Sequence, residues 1–355
     1  MEASSILNGE VVRREYERYV GRKILFIAST LILIIVVAGI SATLGSYPIP
    51  VSEVYPIILK CLVSRPESTE ESIVWNLRMP RILLAIIAGA GLASSGAMTQ
   101  GILRNPLATP YTLGISSAAG LGATIAIILS KGVFAGKYVV IGNAFLFSMI
   151  PTFVVLALAR FKGATPETMI LAGIAMMYIF SAVTTILMYF AEAEAVKSAY
   201  FWMVGDLGKA SWDIIPPILL SLLICFPLLM WKTWDVNVMI TAGDEVAKSL
   251  GVNPERERIF VMLVSAFLTA SIISFTGTIG FVCLVAPHIC RIVIGGDYRY
   301  LLPASALFGG ALLLTCDTIA RTILAPVILP VGVITNCLGG PMFLYLLVKR
   351  RREYW

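Results

Sequence analysis

The chain carries few residues able to do chemistry. Its one histidine, His288, has no second imidazole to work with, which argues against a histidine-based metal site or catalytic triad and for a structural role. The six cysteines (Cys61, Cys225, Cys283, Cys290, Cys316 and Cys337) are scattered, mostly through apolar runs, without C-x-x-C spacing, and read as small packing residues. No G-x-x-x-x-G-K-[ST] occurs, Gly205 to Lys209 having the wrong spacing, so the chain has no P-loop with which to bind ATP. Carboxylates are missing from the middle of every apolar run; Asp317 and Glu167 lie towards run ends. A proton-driven carrier usually needs an ionisable relay inside the bilayer, so energy, if used, comes from a partner. No catalytic residue, metal site or cofactor is expected in this chain.

The informative residues are those at the edges of apolar runs. Of 355 residues, 58% are hydrophobic and only 14% charged, and the mean hydropathy is +0.88. Soluble domains are nearer half apolar and a quarter charged. The apolar residues are blocked into runs of roughly 18 to 24, enough to span ~30 Å of hydrocarbon at ~1.5 Å per residue. The expected spans are 24–44, 80–103, 111–130, 138–160, 167–190, 213–231, 258–280, a short 282–295, 301–323 and 331–348. The fold class is therefore all-α: a polytopic protein of the cell membrane with about ten transmembrane helices. Residues 1–23 form an N-terminal cytoplasmic segment, 24–348 the membrane domain, and 349–355 a basic cytoplasmic tail. The first run follows more than twenty largely polar residues and lacks a small-residue cleavage site, so it reads as a span and not a signal peptide. Gly277, Gly280 and Pro287 interrupt the stretch 275–295. A half-length helix there needs protein or a water-filled cavity over its exposed backbone, a feature common in transport proteins.

Orientation follows from basic residues. With both termini inside, eighteen of the twenty-seven Lys and Arg residues face the cytoplasm, among them Arg13, Arg104, Arg256, Arg258, Arg291 and Lys349. The other nine are Lys60, Arg65, Arg78, Arg81, Lys131, Lys137, Lys197, Lys209 and Arg321. The net charge of +6 thus reflects topology and does not point to nucleic acid. Small residues recur every fourth position at Ala85, Gly89, Ala93, Ala97 and Gly101, and again at Gly114, Ala118, Gly122 and Ala126. Such stripes let another backbone come close where lipid gives no hydrophobic drive for association. The polar neighbours Ser94, Ser95, Thr99 and Gln100 are candidates to line a pathway.

The longest cytoplasmic connection, 232–257, holds a compact helix signal. Asp244 can cap its start, Val246, Ala247 and Leu250 share a face, and Gly251 suits a left-handed C-terminal cap. Asn253 and Pro254 then start the next helix. A short helix with an apolar edge, held between two spans, fits a groove on another protein.

Read in order, several segments resemble the permease subunit of the type II ABC importers, the family that takes up iron-siderophores, haem and cobalamin. They are Arg78-Met79-Pro80-Arg81, Gly96 and Gln100, Arg104-Asn105-Pro106-Leu107-Ala108-Thr109-Pro110 with Leu113-Gly114-Ile115, Gly243 to Gly251, Gly280-Phe281-Val282 with Pro287-His288-Ile289-Cys290-Arg291, and Pro330-Val331-Gly332-Val333. The resemblance implies ten helices per subunit, a homodimer with the pathway at its interface, two cytoplasmic ATP-binding subunits and an extracytoplasmic substrate-binding protein. It implies a coupling helix at Asp244, Glu245, Val246, Ala247, Leu250 and Gly251 that sits in the ATPase groove. It implies that Arg78, Arg81 and Arg321 receive acidic residues of the binding protein, although Asp317, four residues before Arg321, offers a plain i,i+4 pair. Asn105 and Leu107 match a cytoplasmic constriction. Thr165 lies near a second one, where Pro166 and Glu167 depart from the family's small hydroxyl residues. The expected cargo is a metal chelate, iron-siderophore before cobalamin and haem. A secondary carrier working without an ATPase, and a membrane-embedded enzyme or scaffold, are the competing expectations.

Overall fold

The computed structural model describes residues 2–45, 47–129 and 138–349; Lys131, Lys137 and tail residues 350–355 lie outside the described residues. Ten helices answer the ten apolar runs. They are α1 (Glu2–Thr43), α4 (Met79–Ile102), α5 (Ile115–Leu129), α6 (Val139–Lys162), α7 (Pro166–Tyr189), α9 (Ile215–Trp231), α11 (Pro254–Thr276), α12 (Val282–Ile294), α13 (Tyr298–Thr322) and α14 (Val331–Lys349). Among the described residues six helical stretches are long and apolar enough to cross a membrane, and a seventh is α9 continued through a 43° bend into α10 (Thr233–Ser249). Helices α5 and α12 are shorter apolar helices. No strand occurs among the described residues.

Three features depart from the expected layout. Helix α1 does not stop at residue 23 but runs unbroken from Glu2, some 63 Å at ~1.5 Å per residue, about twice the hydrocarbon thickness. Two further helices, α2 (Val51–Cys61) and α8 (Ala193–Val204), fill connections in which the sequence pattern shows no span. A short α3 (Thr69–Ser72), opened by a Ser68–Glu71 capping box, leads through a π-helical turn over Ile73–Arg78 into α4.

Helix α4 is the buried axis of the bundle, packed by α13, α11, α12 and α9. Its small-residue stripe has the predicted purpose. A Cβ on Gly89 would lie 2.3 Å from the carbonyl oxygen of Gly309 on α13 and one on Gly101 2.8 Å from the Val236 side chain of α10; outside the stripe, one on Gly96 would lie only 1.8 Å from the Cys283 carbonyl oxygen of α12. On α5, a Cβ on Gly122 would meet the Asn143 carbonyl of α6 at 2.5 Å. The polar neighbours on α4 pack and do not line an open path. Ser94 donates to Ala90 O at 2.7 Å, Thr99 to Ser95 O at 2.7 Å, and Gln100 to Leu284 O at 3.3 Å, all of them buried.

The broken segment between α11 and α12 is covered by protein. Asp206 N–H donates to Thr276 O at 2.8 Å, Tyr111 OH donates to Ile279 O at 2.9 Å, and the Thr278 hydroxyl donates to Met203 O. The Thr276 and Ile279 carbonyls, which a continuous helix would have satisfied internally, are satisfied by neighbours, as a low-dielectric setting demands.

Candidate functional site

Two clusters of charge lie at opposite ends of α4, about 36 Å apart along a 24-residue helix. The first gathers around Asp244. Gly243 breaks α10 with φ 85°, and Gly251 closes the following turn with φ 88°, both in the left-handed region that glycine enters without Cβ strain. Between them 244–249 is helical, and its end is a Schellman cap: Val252 N–H donates to Ala247 O at 2.9 Å and Gly251 N–H to Lys248 O at 3.0 Å. Asn253 caps α11 by accepting from Arg256 N–H at 3.2 Å, with Pro254 in the first turn.

Asp244 does not cap its own helix as the sequence suggested. Its carboxylate is taken by two arginines, and a charge-assisted bond to a guanidinium outcompetes a bond to a backbone N–H. Arg104, just past the end of α4, donates to Oδ1, and Arg258 of α11 donates from Nη2 to both oxygens at 2.8 Å each. Nor do Val246, Ala247 and Leu250 form one exposed face. Ala247 is buried, whereas Val246 is 49% and Leu250 65% exposed, one helical turn apart and pointing away from the bundle. Glu245 is exposed beside them.

Arg258 is the residue that sequence reading missed. It is 2% exposed, and its guanidinium joins three segments. Nε donates to Ile102 O at 3.0 Å, Nη1 to Ala164 O at 3.1 Å, and Nη2 to Asp244. The 244–251 segment is therefore tied to the end of α4, three residues before Asn105, and to the residue before Thr165. Arg104 stands at a left-handed φ of 45° at the head of the Asn105–Leu107 loop, where Asn105 Oδ1 accepts from Leu107 N–H at 2.9 Å and Leu107 is exposed. Thr165, exposed and next to Ala164, caps α7 by accepting from Thr168 N–H at 3.3 Å. No local signal marked Arg258: Arg256, nearer the same helix start, is exposed.

Further ties fix this end of the bundle. Lys232 bridges Glu257 at 2.9 Å and Asp235 at 3.2 Å. Asn237 of α10 donates to Asp297 Oδ1 at 2.9 Å and accepts from Tyr298 N–H at 2.9 Å, and Lys23 of α1 lies 3.6 Å from Asp297. Burial would raise the Asp297 carboxyl, but hydrogen bonds from Arg299 and Asn237 and the charge of Lys23 outweigh it and hold it at about 2.

The second cluster gathers around Asp317 of α13, which is fully buried. Arg81 reaches its two oxygens from Nε at 3.0 and 3.1 Å and from Nη2 at 2.8 Å, and Arg321 donates from Nε at 3.1 Å. Asp206 stands 3.8 Å from Arg81. Arg78 donates to Ala42 O at 2.6 Å and Thr43 O at 3.1 Å, and to Tyr47 O; Arg321 donates to Ser41 O at 3.2 Å. Those of Ser41, Ala42 and Thr43 belong to the C-terminus of α1, where carbonyls lack helical partners and the dipole favours a cation. The structure brings Arg78, Arg81 and Arg321 together and turns them inward: they are 5%, 8% and 7% exposed. All three edge a cavity of about 320 Å³ that Tyr47, Leu77 and Ile328 also line. Among the described residues no group of His, Cys, Asp or Glu could hold a metal ion.

Known proteins resemble this chain in sequence and in fold. The pattern of the FecCD transport family matches residues 31–349. The chain is 45% identical over 350 residues to a Methanocaldococcus jannaschii protein named as an ABC transporter permease, covering 95% of this chain and 98% of that one. It is 38% identical to the hemin transport system permease of Yersinia pestis (79% and 84% covered) and 41% identical to the cobalamin import system permease of Halobacterium salinarum (79% and 75% covered). A solved inward-facing structure described as a metal-chelate type ABC transporter superposes with a TM-score of 0.81 at 30% identity, covering 91% of this chain and 99% of that one. With the match running from the first span to the last helix, the chain belongs to the FecCD transport family and is the membrane-embedded permease subunit of an ABC transporter.

Proposed function

We propose that two copies of this chain form the pathway of an ATP-driven importer for a metal chelate, with both termini in the cytoplasm. Two ATP-binding subunits grip the 244–251 segments, and a loaded extracytoplasmic binding protein docks at the Asp317 end. The observation that carries this reading is the pair Val246 and Leu250, exposed at 49% and 65% on a short helix braced behind by two arginines. An exposed apolar pair backed by a rigid charged brace suits transmission of force from a partner's groove. Asn105, Leu107 and Thr165, tied to that brace, then act as the cytoplasmic gate. ATP-driven closure of the partners favours one of two arrangements of the permease pair, and this chain contributes only differential contacts between them.

Docking through Arg78, Arg81 and Arg321 takes a particular form. Each guanidinium is bonded within the chain, so the binding protein meets a field and not three free side chains. Three arginines against Asp317 and Asp206 leave a net charge of +1 around an open cavity, enough to steer an acidic surface. For cargo, relatives of nearly equal identity carry the names of a hemin and a cobalamin permease, so the metal-chelate class is supported above any one member. Iron-siderophore is the first choice within it, then cobalamin or haem.

Affinity purification of the full-length chain from its native membrane tests the reading. A P-loop ATPase should co-purify with the wild type and be lost from Leu250→Asp, whose exposed site tolerates the charge in the fold. A wild-type permease that carries no ATPase ends the importer reading.

A further inference from the structure

We propose that Arg258 is the positioning residue that makes the 244–251 segment and both gate loops move as one body. This inference rests on the proposed coupling role of that segment. Gly243 and Gly251 bound the segment, and at neither would an added Cβ find an atom within 4 Å, so both hinges turn in open space. Val246 and Leu250 face away, and only Ala247 is buried. The segment's charged hold on the bundle is the Asp244 carboxylate, shared by Arg104 and Arg258. A displacement of the segment is therefore delivered to those two side chains.

The two arginines do different things with it. Arg104 stands at the head of the Asn105–Leu107 loop and also holds the Met239 carbonyl of α10, so it links the segment to that loop and to α10 but not to the loop of Thr165. Arg258 belongs to α11 and holds the end of α4 that leads into the Asn105 loop by the Ile102 carbonyl, and the loop of Thr165 by the Ala164 carbonyl, at 3.0 and 3.1 Å. A planar guanidinium donates in fixed directions from three separate nitrogens, whereas an ammonium has its three donors on one freely rotating nitrogen. Burial at 2% exposure removes water as an alternative partner, so the three bonds stay linked as the segment moves. Without Arg258 the segment keeps its hinges and Arg104, but Thr165 loses its link to the segment.

The test uses the permease co-purified with its ATPase subunits, in nanodiscs. Cys337 is replaced by Ser, and a single cysteine is introduced at Thr165 or, in a second preparation, at Leu107. The readout is the rate of alkylation by a soluble maleimide, nucleotide-free and after trapping with ATP and vanadate. With Arg258 present, trapping should change the Thr165 rate by about fivefold or more, the low end of coupling between sites. With Arg258→Ala, ATP hydrolysis should continue while the Thr165 response collapses, and the Leu107 response should survive in part through Arg104. Arg258→Lys keeps the charge and one bond to Asp244 and should hydrolyse ATP with a reduced Thr165 response, so the outcome does not depend on how well the alanine variant folds. Equal responses at Thr165 in all three proteins overturn the inference, as does a parallel fall of hydrolysis and both responses, the mark of a merely structural arginine. If the wild-type complex shows no response to trapping at either position, the coupling reading fails first and this inference falls with it.

Discussion

Asp317→Asn isolates the charge that holds one end of the bundle together. The carboxylate is fully buried and accepts three hydrogen bonds, two from Arg81 Nε at 3.0 and 3.1 Å and one from Arg321 Nε at 3.1 Å, with Arg81 Nη2 in ion-pair contact at 2.8 Å. An amide keeps one acceptor oxygen but turns an N–H towards a guanidinium, so two buried cations lose their counter-charge together. Removing one partner of a buried pair costs roughly 3–5 kcal/mol, most of it the charge left behind. Relief is partial. Asp206, at 3.8 Å, still faces Arg81, and Arg321 keeps the Ser41 carbonyl, so a loss of about 3–5 kcal/mol is expected and not double that. Replacing Arg81 by Met alone leaves Asp317 with Arg321, and the double variant Arg81→Met, Asp317→Asn should cost far less than the sum of the singles. Unfolding of the four proteins by SDS titration in mixed micelles measures the cycle. A coupling near 2 kcal/mol is expected, within the usual span for contacting residues of ~0.5–3 kcal/mol. Additivity to within about 0.5 kcal/mol would falsify the claim that Asp317 is retained to neutralise these arginines.

Other consequences are as direct. Gly96→Ala forces a methyl to within 1.8 Å of the Cys283 carbonyl oxygen, backbone that cannot yield without moving α12, whereas Gly340 has open space around its Cβ position. The first substitution should cost at least ~1–3 kcal/mol and Gly340→Ala should be neutral or slightly stabilising, and the same SDS titration compares them. Asp206→Asn removes a carboxylate 3.8 Å from Arg81, which edges the cavity, and raises the charge of the cluster from +1 to +2. The binding protein should then associate faster at low salt with little change in dissociation, read by surface plasmon resonance across ionic strength; a salt-independent rate would place docking elsewhere.

The sequence disclosed what depends on local pattern. Run length and hydropathy found ten apolar helices, six or seven of them long enough among the described residues to cross a membrane, Gly277 and Pro287 marked the broken helix, and Gly251 and Asn253 marked the caps that follow the 244–249 helix. Helices α2 and α8 were missed because short helices in polar connections carry neither a membrane-length run nor a long periodic face. The polar start of α1 read as a tail because polarity alone does not end a helix, and nothing there but two glycines, Gly9 and Gly21, weakens one.

The direction of the arginines was beyond local pattern for a different reason. A basic residue at a span edge has two ways to avoid the hydrocarbon, by reaching outward to water or inward to protein oxygen, and both leave the same mark in the sequence. Arg321 could be paired with Asp317 at i−4 by inspection, but its Ser41 partner lies 280 residues away, and Arg81 meets Asp317 across 236. Arg258 was hidden likewise, with acceptors 156 and 94 residues distant. The helix dipole does not break the tie. Arg256 stands nearer the start of α11 than Arg258 does, yet it is exposed while Arg258 is buried. What separates the two is the set of acceptors that packing brings to Arg258 from the end of α4, from Ala164 and from Asp244, and no pattern local to α11 carries that information.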